Sequence, residues 1–347
     1  MSATVTPAEP RTTLEASAEP LSRRFDVALL DLDGVVYVGA AAIPGAREHL
    51  VAAHQAGMRL AYVTNNASRP PEVVAAHLQE LGMPASAADV VTSAQAAARV
   101  VADIVPAGSR VLLVGGLGLD VALRERGLVP VSSAEDDPRA VVQGFSPDIG
   151  WSLLAEGAYA LERGLPWVAS NTDRTIPTPR GRAPGNGTLV DVLRHATGRE
   201  PIVAGKPEPP LHAESVARTG ATRPLVVGDR LDTDIEGANR VGAHSLLVLT
   251  GVTDAAHVAL ASEPHRPSFV AADLAALHMP QPETTSDRDG WRCRDSWAVV
   301  RDDTLIIARD GQDPLDAVRA ACAACWSHGV TRLDPADVHA VLVAALP

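Results

Sequence analysis

Asp31 and Asp33, two positions apart, are followed far downstream by a second acidic group, Asp229 with Asp232 and Asp234. Between them lie a Thr64-Asn65-Asn66 triplet and Lys206, the only lysine among thirty basic side chains. Paired carboxylates divide labour when their surroundings differ: one stays ionised as a nucleophile, the other is held protonated as an acid. Asp31 with Asp229 offers the hard oxygen ligands that suit Mg2+, an ion that keeps several waters and also touches substrate phosphate. Thr64, the backbone amides near Asn65 and Lys206 supply the donors that a phosphoryl group requires. A chain that writes arginine everywhere else keeps a lysine where a compact ammonium, not a planar fork, is needed. A lone Asp-x-Asp-Gly would read as a solvated turn; these four groups together read as an active site.

The elements that must present them are legible as short apolar runs. Asp26-Val27-Ala28-Leu29-Leu30 runs into Asp31, Met58-Arg59-Leu60-Ala61-Tyr62-Val63 into Thr64, and Leu225-Val226-Val227-Gly228 into Asp229. Pro201-Ile202-Val203-Ala204-Gly205 precedes Lys206 in the same way. Each run is followed by a helix-like segment, the rhythm of βαβ units and a parallel sheet. Ligands of such sheets bind outside the carboxyl ends of the strands, where all four groups stand. The expected fold is α/β, a doubly wound, Rossmann-like core.

With these four motifs in order, the chain resembles the haloacid dehalogenase superfamily of phosphotransferases over residues 25 to about 275. Asp31-Leu32-Asp33-Gly34 matches its first motif, Thr64-Asn65-Asn66 the second, Gly205-Lys206-Pro207 the third and Gly228-Asp229-Arg230-Leu231-Asp232-Thr233-Asp234 the fourth. The resemblance implies that Asp31 is the nucleophile forming an aspartyl-phosphate. It implies that Asp33 protonates the leaving oxygen and then activates water. Mg2+ would be held by Asp31, the backbone carbonyl of Asp33 and Asp229, with Asp234 ordering its water shell. Dehalogenases of the superfamily lack the second aspartate and transport ATPases have threonine there, so Asp33 implies a phosphatase or phosphomutase.

The interval from Asn66 to Lys206 exceeds what a minimal core needs, so a domain is inserted. Arg110-Val111-Leu112-Leu113-Val114, Ala140-Val141-Val142-Gln143-Gly144 and Pro166-Trp167-Val168-Ala169-Ser170 read as strands within it, and 120–126 as a helix. The insertion, 107–199, is itself α/β. Gly115-Gly116-Leu117-Gly118 reads as a tight strand-to-helix turn, since a dinucleotide fingerprint would need a glycine at Val121. The position resembles the type-two caps of the p-nitrophenylphosphatase-like branch, as do Asn171-Thr172-Asp173, Pro177 and Pro184-Gly185-Asn186-Gly187-Thr188-Leu189. A cap excludes water from the intermediate and reads the leaving group.

Forty-two acidic against thirty basic residues give a net charge of −12, which disfavours nucleic-acid and anionic-membrane partners. Residues 1–22 read as a disordered tail without the apolar stretch of a signal peptide, and no segment has transmembrane length. A cytoplasmic location is expected, and a homodimer stays open. The core is expected at 23–106 and 200–278, with a linker and a small α+β extension at 279–347. There Trp297-Ala298-Val299-Val300-Arg301 and Thr304-Leu305-Ile306-Ile307-Ala308 suggest a hairpin, followed by helices at 314–328 and 335–346. This order resembles an acetyltransferase fragment, but it is too short and lacks the coenzyme A loop. Cys322-x-x-Cys325 with His328 has metal-ligand types at helical spacing; the surrounding alanines favour an ordinary packed helix.

The cap carries the candidates for selectivity: Asp148 and Trp151 in one loop, Arg174, Arg180 and Arg182 in the opposing one. No histidine or aromatic sandwich is evident for a base or pyridine, and Ile176 stands where the branch's pyridoxal-phosphate phosphatases tend to carry histidine. A small polyol or carboxylate phosphate fits better. The chain looks most like the glycerol-phosphate phosphatases of high-GC actinobacteria, whose capped core carries a similar extension. That likeness implies hydrolysis of glycerol 3-phosphate to glycerol and phosphate. The alternatives are 2-phosphoglycolate hydrolysis, a phosphomutase and a non-catalytic regulatory protein.

Overall fold

The computed structural model describes residues 11–178, 180–309 and 313–345, which divide into two compact units. The first comprises Met1–Ala61, Leu81–Pro84 and Ala221–Pro347; the second Tyr62–Glu80 and Ala85–Gly220. The strand Arg59–Thr64 passes covalently from one into the other.

In the first unit Val27–Leu30, Pro224–Gly228, His244–Val248 and Phe269–Ala271 form parallel strands. Their registers are Val27↔Pro224, Leu225↔His244 and Leu246↔Phe269. Val27–Leu30 is buried along its whole length, as a strand covered on both faces must be, which is why it reads as an unbroken apolar run. The sequence Leu30-Asp31 and the sequence Gly228-Asp229 therefore end neighbouring strands at the same edge.

Two expectations change here. Residues 11–22 are not a free tail. Leu14 is buried in a core cluster, Ser17 and Gln281 exchange backbone hydrogen bonds at 2.9 and 2.8 Å, and Glu15 takes Arg24 and His244 at 2.9 Å each. Residues 1–10 lie outside the described residues. The stretch read as a linker instead begins a four-stranded antiparallel meander: Thr284–Asp287, Gly290–Cys293, Ser296–Arg301 and Thr304–Arg309. Its two-residue turns use Arg288, Arg294, Asp302 and Asp303 at positive φ, the backbone twist that tight hairpins favour. The helix Pro314–His328 packs on this sheet, and its Trp326 indole donates to Val258 O at 3.2 Å while Arg266 stacks 5.3 Å from the ring. Cys293, Cys322 and Cys325 are buried among alanines, leucines and valines, and burial pushes the Cys325 thiol up to about 12 and that of Cys322 well up. Enclosed among apolar side chains, the three cysteines pack as small hydrophobes. His328 turns instead to Asp303, at 3.0 Å.

The second unit holds a five-stranded parallel sheet in the order Ile202–Val203, Trp167–Ala169, Ala140–Gln143, Arg110–Val114, Val129–Val131. The expected cap limits, 107 and 199, fall inside this unit. The Gly115-Gly116 segment is a strand-to-helix turn, with Gly116 capping the helix Leu117–Glu125. The helix Pro209–Thr219, which follows Lys206, is held by one buried side chain. Glu214, 1% exposed, takes Arg99 at 3.1 Å, Arg126 at 2.6 Å and Arg218 at 2.6 Å. A buried carboxylate persists only when so fully paired.

Candidate active site

In the first unit the chain leaves the strand Val27–Leu30 at Asp31, whose N–H bonds Val227 O at 2.8 Å, and turns sharply. Leu32 O accepts the N–H groups of Val36 and Tyr37, and Gly34 adopts φ +84°, which a side chain would strain. The turn leaves Asp31 half-buried and Asp33 exposed. Thr250 Oγ1 donates to Gly34 O at 2.6 Å, tying this turn to the segment after His244–Val248.

Asp229, 1% exposed, accepts the Val252 N–H on Oδ2 at 2.6 Å, and its own carbonyl accepts the Thr253 N–H at 3.2 Å. Asp234, also 1% exposed, comes from the wide turn Leu231–Ile235, in which Asp234 N and Ile235 N both reach Arg230 O. Its Oδ2 accepts the Arg230 N–H at 3.2 Å. Asp31, Asp229 and Asp234 each present a ligand atom within 4.8 Å of the others. Three carboxylates this close, two of them buried, repel strongly unless a cation joins them, and an all-oxygen donor set fits Mg2+. Asp232 does not join: Arg230 binds it at 3.0 and 2.8 Å. Burial would raise that carboxyl, but the Arg230 hydrogen bond and charge prevail and hold it below its ordinary value.

In the second unit, Thr64 is buried at the end of its strand and its Oγ1 accepts the Asn66 N–H at 3.1 Å. Asn66 is exposed, its Oδ1 engaged by Ser68 N at 2.9 Å and Ser68 Oγ at 2.7 Å. Lys206 is 4% exposed. Its N–H donates to Asn65 Oδ1 at 2.8 Å, and its carbonyl accepts from Asn65 Nδ2 at 3.1 Å. Gly205 has to be glycine, because a Cβ there would lie 2.5 Å from both Asn65 Oδ1 and Ser170 O.

The structure thus gathers Asp31, Asp229 and Asp234 in one unit, and Thr64, Asn65 and Lys206 in the other. Of the cap candidates, Asp148 is exposed, Trp151 is 79% exposed at the start of the helix Trp151–Glu162, and Arg174 and Arg182 are exposed around the hairpin Thr175–Thr178/Gly181–Pro184. Sequence reasoning missed the Thr250-Gly251-Val252 segment that seats Asp229. A Thr-Gly pair directly after an apolar run was the available signal. It also missed His212, buried on the helix Pro209–Thr219 with no hydrogen-bond partner on either ring nitrogen among the described residues. Burial, reinforced by the Lys206 charge, lowers its pKa to about 3, so the ring is neutral.

Residues 28–129 match the sequence model described as haloacid dehalogenase-like hydrolase, and 203–277 a second one described as HAD-hydrolase-like. The D-glycerol 3-phosphate phosphatase of Mycobacterium tuberculosis is 46% identical over 314 residues, 88% of this chain and 87% of that one. An acid sugar phosphatase of Staphylococcus aureus is 36% identical over 67% of this chain and 89% of its own. Among solved structures, the M. tuberculosis glycerol phosphate phosphatase in complex with magnesium superposes with a TM-score of 0.82 at 45% identity, covering 89% of this chain and 92% of that one. The p-nitrophenyl phosphatase from Archaeoglobus fulgidus gives 0.67 at 30% identity, over 73% of this chain and 98% of its own.

Proposed function

Because this chain belongs to the haloacid dehalogenase-like hydrolases and is a phosphatase, we propose that it hydrolyses glycerol 3-phosphate to glycerol and inorganic phosphate with Mg2+. The observation that carries the substrate is the similarity to a D-glycerol 3-phosphate phosphatase along 88% of the chain, more than the catalytic core and cap alone. The reading takes 23–106 and 200–278 as catalytic core, 107–199 as cap and 279–347 as the extension. A cytoplasmic site of action belongs to it, supported by the net charge of −12. No helix among the described residues is long and apolar enough to cross a membrane.

In this reading Asp31 attacks phosphorus and its carboxylate oxygen forms the new P–O bond as the glycerol oxygen leaves. Asp33, exposed beside it in the same turn, gives its proton to that oxygen. It then takes a proton from the water that attacks the aspartyl-phosphate, releasing phosphate and restoring Asp31. Lys206 and the Thr64 hydroxyl donate to the phosphoryl oxygens as charge spreads over them. Asp31, the Asp33 carbonyl and Asp229 would hold Mg2+, with Asp234 alongside, and the ion would supply charge neutralisation for the transferring group. The cluster of three carboxylates supports this placement of the metal. Asp148, Trp151, Arg174 and Arg182 are assigned to recognition of the leaving group.

Phosphate release from a panel of monoesters with Mg2+ tests the substrate. Glycerol 3-phosphate is expected to give the highest kcat/KM, ahead of 2-phosphoglycolate. A higher value for a sugar phosphate, pyridoxal phosphate or a nucleotide would overturn the assignment.

A further inference from the structure

Asn65 adjoins Thr64, the proposed phosphate donor, but its carboxamide is engaged elsewhere. Oδ1 accepts the Lys206 N–H at 2.8 Å and Nδ2 donates to the Lys206 carbonyl at 3.1 Å, so one side chain grips both main-chain groups of one residue. The second Nδ2 hydrogen faces the Asp173 carboxylate, 3.3 and 3.4 Å away. A primary amide has two donor hydrogens and one acceptor oxygen, and all three are occupied by protein.

The grip is itself anchored. The Asn65 carbonyl accepts Ser93 Oγ at 2.5 Å and Asn171 Nδ2 at 2.7 Å, so the residue cannot swing without breaking contacts to two other segments. The Gly205 α-carbon lies against the same Oδ1, with no room for a side chain. Asp173 is held in turn: its N–H donates to Asn171 Oδ1 at 3.2 Å, and its carbonyl accepts the Gly187 N–H at 2.9 Å. Asp173 immediately precedes Arg174 and the hairpin Thr175–Thr178/Gly181–Pro184.

We infer that Asn65 is a positioning residue that fixes the main chain of Lys206, and that Asp173 keys it to the segment carrying Arg174 and Arg182. The inference rests on the reading that Lys206 serves the phosphoryl group. An ammonium at the end of a four-carbon stem goes where its α-carbon is put, and a displacement of about 1 Å in such a group costs roughly a hundredfold in rate. Asn65 thereby sets the geometry of a charge through the main chain that carries it, and the hairpin segment bears on that geometry through the Asp173 carboxylate.

Substitution by charge exchange separates this role from a direct phosphate contact. Asn65→Asp keeps an acceptor for the Lys206 N–H but turns an oxygen towards the Lys206 carbonyl and the Asp173 carboxylate. It is expected to lower kcat/KM for p-nitrophenyl phosphate about a hundredfold. Adding Asp173→Asn replaces the opposed pair of carboxylates by an amide donor and a carboxylate acceptor, and is expected to restore about tenfold of that loss. Asn65→Asp within about twofold of the parent protein, or a double variant no better than Asn65→Asp, would overturn the inference. Amide hydrogen exchange at Lys206 reads the grip without substrate. Asn65→Ser is expected to speed that one exchange by about tenfold or more while the flanking strands keep their protection. An unchanged Lys206 amide overturns the inference even in a fully active enzyme. A parent protein that releases no phosphate from any monoester overturns instead the phosphatase reading on which it rests.

Discussion

Gly251 packs its α-carbon directly against the carboxylate of Asp229, leaving no space for a methyl group between them. The adjacent residue, Val252, gives that same carboxylate its N–H at 2.6 Å. Gly34 approaches the same carboxylate, and a Cβ there would stand 2.5 Å from Asp229 Oδ2. The backbone of two segments far apart in sequence thus closes on a buried anion, and at Gly34 and Gly251 only a residue without a side chain allows the approach. Its placement is rigid because a glycine-lined seat has no rotamer to relax.

The first expected outcome follows from that seat. Gly251→Ala displaces the Asp229 carboxylate, so the Mg2+ concentration for half-maximal activity should rise by about tenfold or more, the scale seen when a metal ligand's support is lost. A Mg2+ titration with p-nitrophenyl phosphate measures it. Half-saturation equal to that of the parent protein would mean that Asp229 does not hold the metal. Chelation by EDTA should abolish turnover of both proteins, with Mg2+ restoring it.

Asp31→Asn should remove turnover altogether, since an amide is no nucleophile and is a weaker metal ligand. Asp33→Asn should slow the reaction by about a hundredfold or more for alkyl phosphates and by less for p-nitrophenyl phosphate, whose leaving group needs little protonation. Rates on the two substrate types, measured side by side, decide the assignment. Equal losses would contradict an acid role for Asp33.

Lys206→Arg keeps the charge but replaces a compact ammonium by a planar fork in a site only 4% exposed. We expect kcat/KM to fall by at least about a hundredfold, as when a stabiliser of transition-state charge is removed. Near-parental activity would return the single lysine to chance.

His212 links stability to pH. Its ordinary value is 6.5 and its folded value about 3, so between them the unfolded chain binds a proton that the folded chain refuses. The stability contributed by the neutral ring is thus fully present above the ordinary value and is lost as pH falls towards the folded one. His212→Leu removes the linkage, and its thermal midpoint should drop less than the parent's on acidification below neutrality. Parallel acid-dependence of the two midpoints would refute the assignment.

The ends of the core strands were legible because each apolar run is broken abruptly by a polar residue. Leu29-Leu30-Asp31 and Val227-Gly228-Asp229 announce both the strand and its cargo. The resemblance placed Asp234 beside the metal site of Asp31, but the local structure that brings it there was not legible. The wide turn at Leu231–Ile235 swings it inward, and neither the helical nor the strand period describes such a turn. The hairpin across Asp302 and Asp303 was legible from its two apolar runs, but the first half of the meander was hidden for a related reason. Its tight turns are made by Arg288 and Arg294 rather than by Asn-Gly or Gly-Gly pairs, and its first strand, Thr284–Asp287, is polar. Residues 11–22 misled because composition averages over anchors. Leu14, Glu15 and Ser17 each fasten to a different distant partner, and none makes a local pattern. The side chain of Asn65 could not be assigned from sequence at all, since its partners lie at positions 173 and 206.

The discontinuity of the first unit bears on the order in which this molecule is made. Val27 cannot pair with Pro224 until about two thirds of the chain has been synthesised, and the cluster that buries Leu14 is not complete until Val318 and Cys322 have followed. The second unit closes on itself once Gly220 has emerged. Domains fold as units as they leave the ribosome, and pairings between distant residues form late. Asp31, the proposed nucleophile and among the first residues synthesised, therefore stays apart from Asp229 and Asp234 until about two thirds of the chain has been added, and the proposed chemistry cannot begin before then.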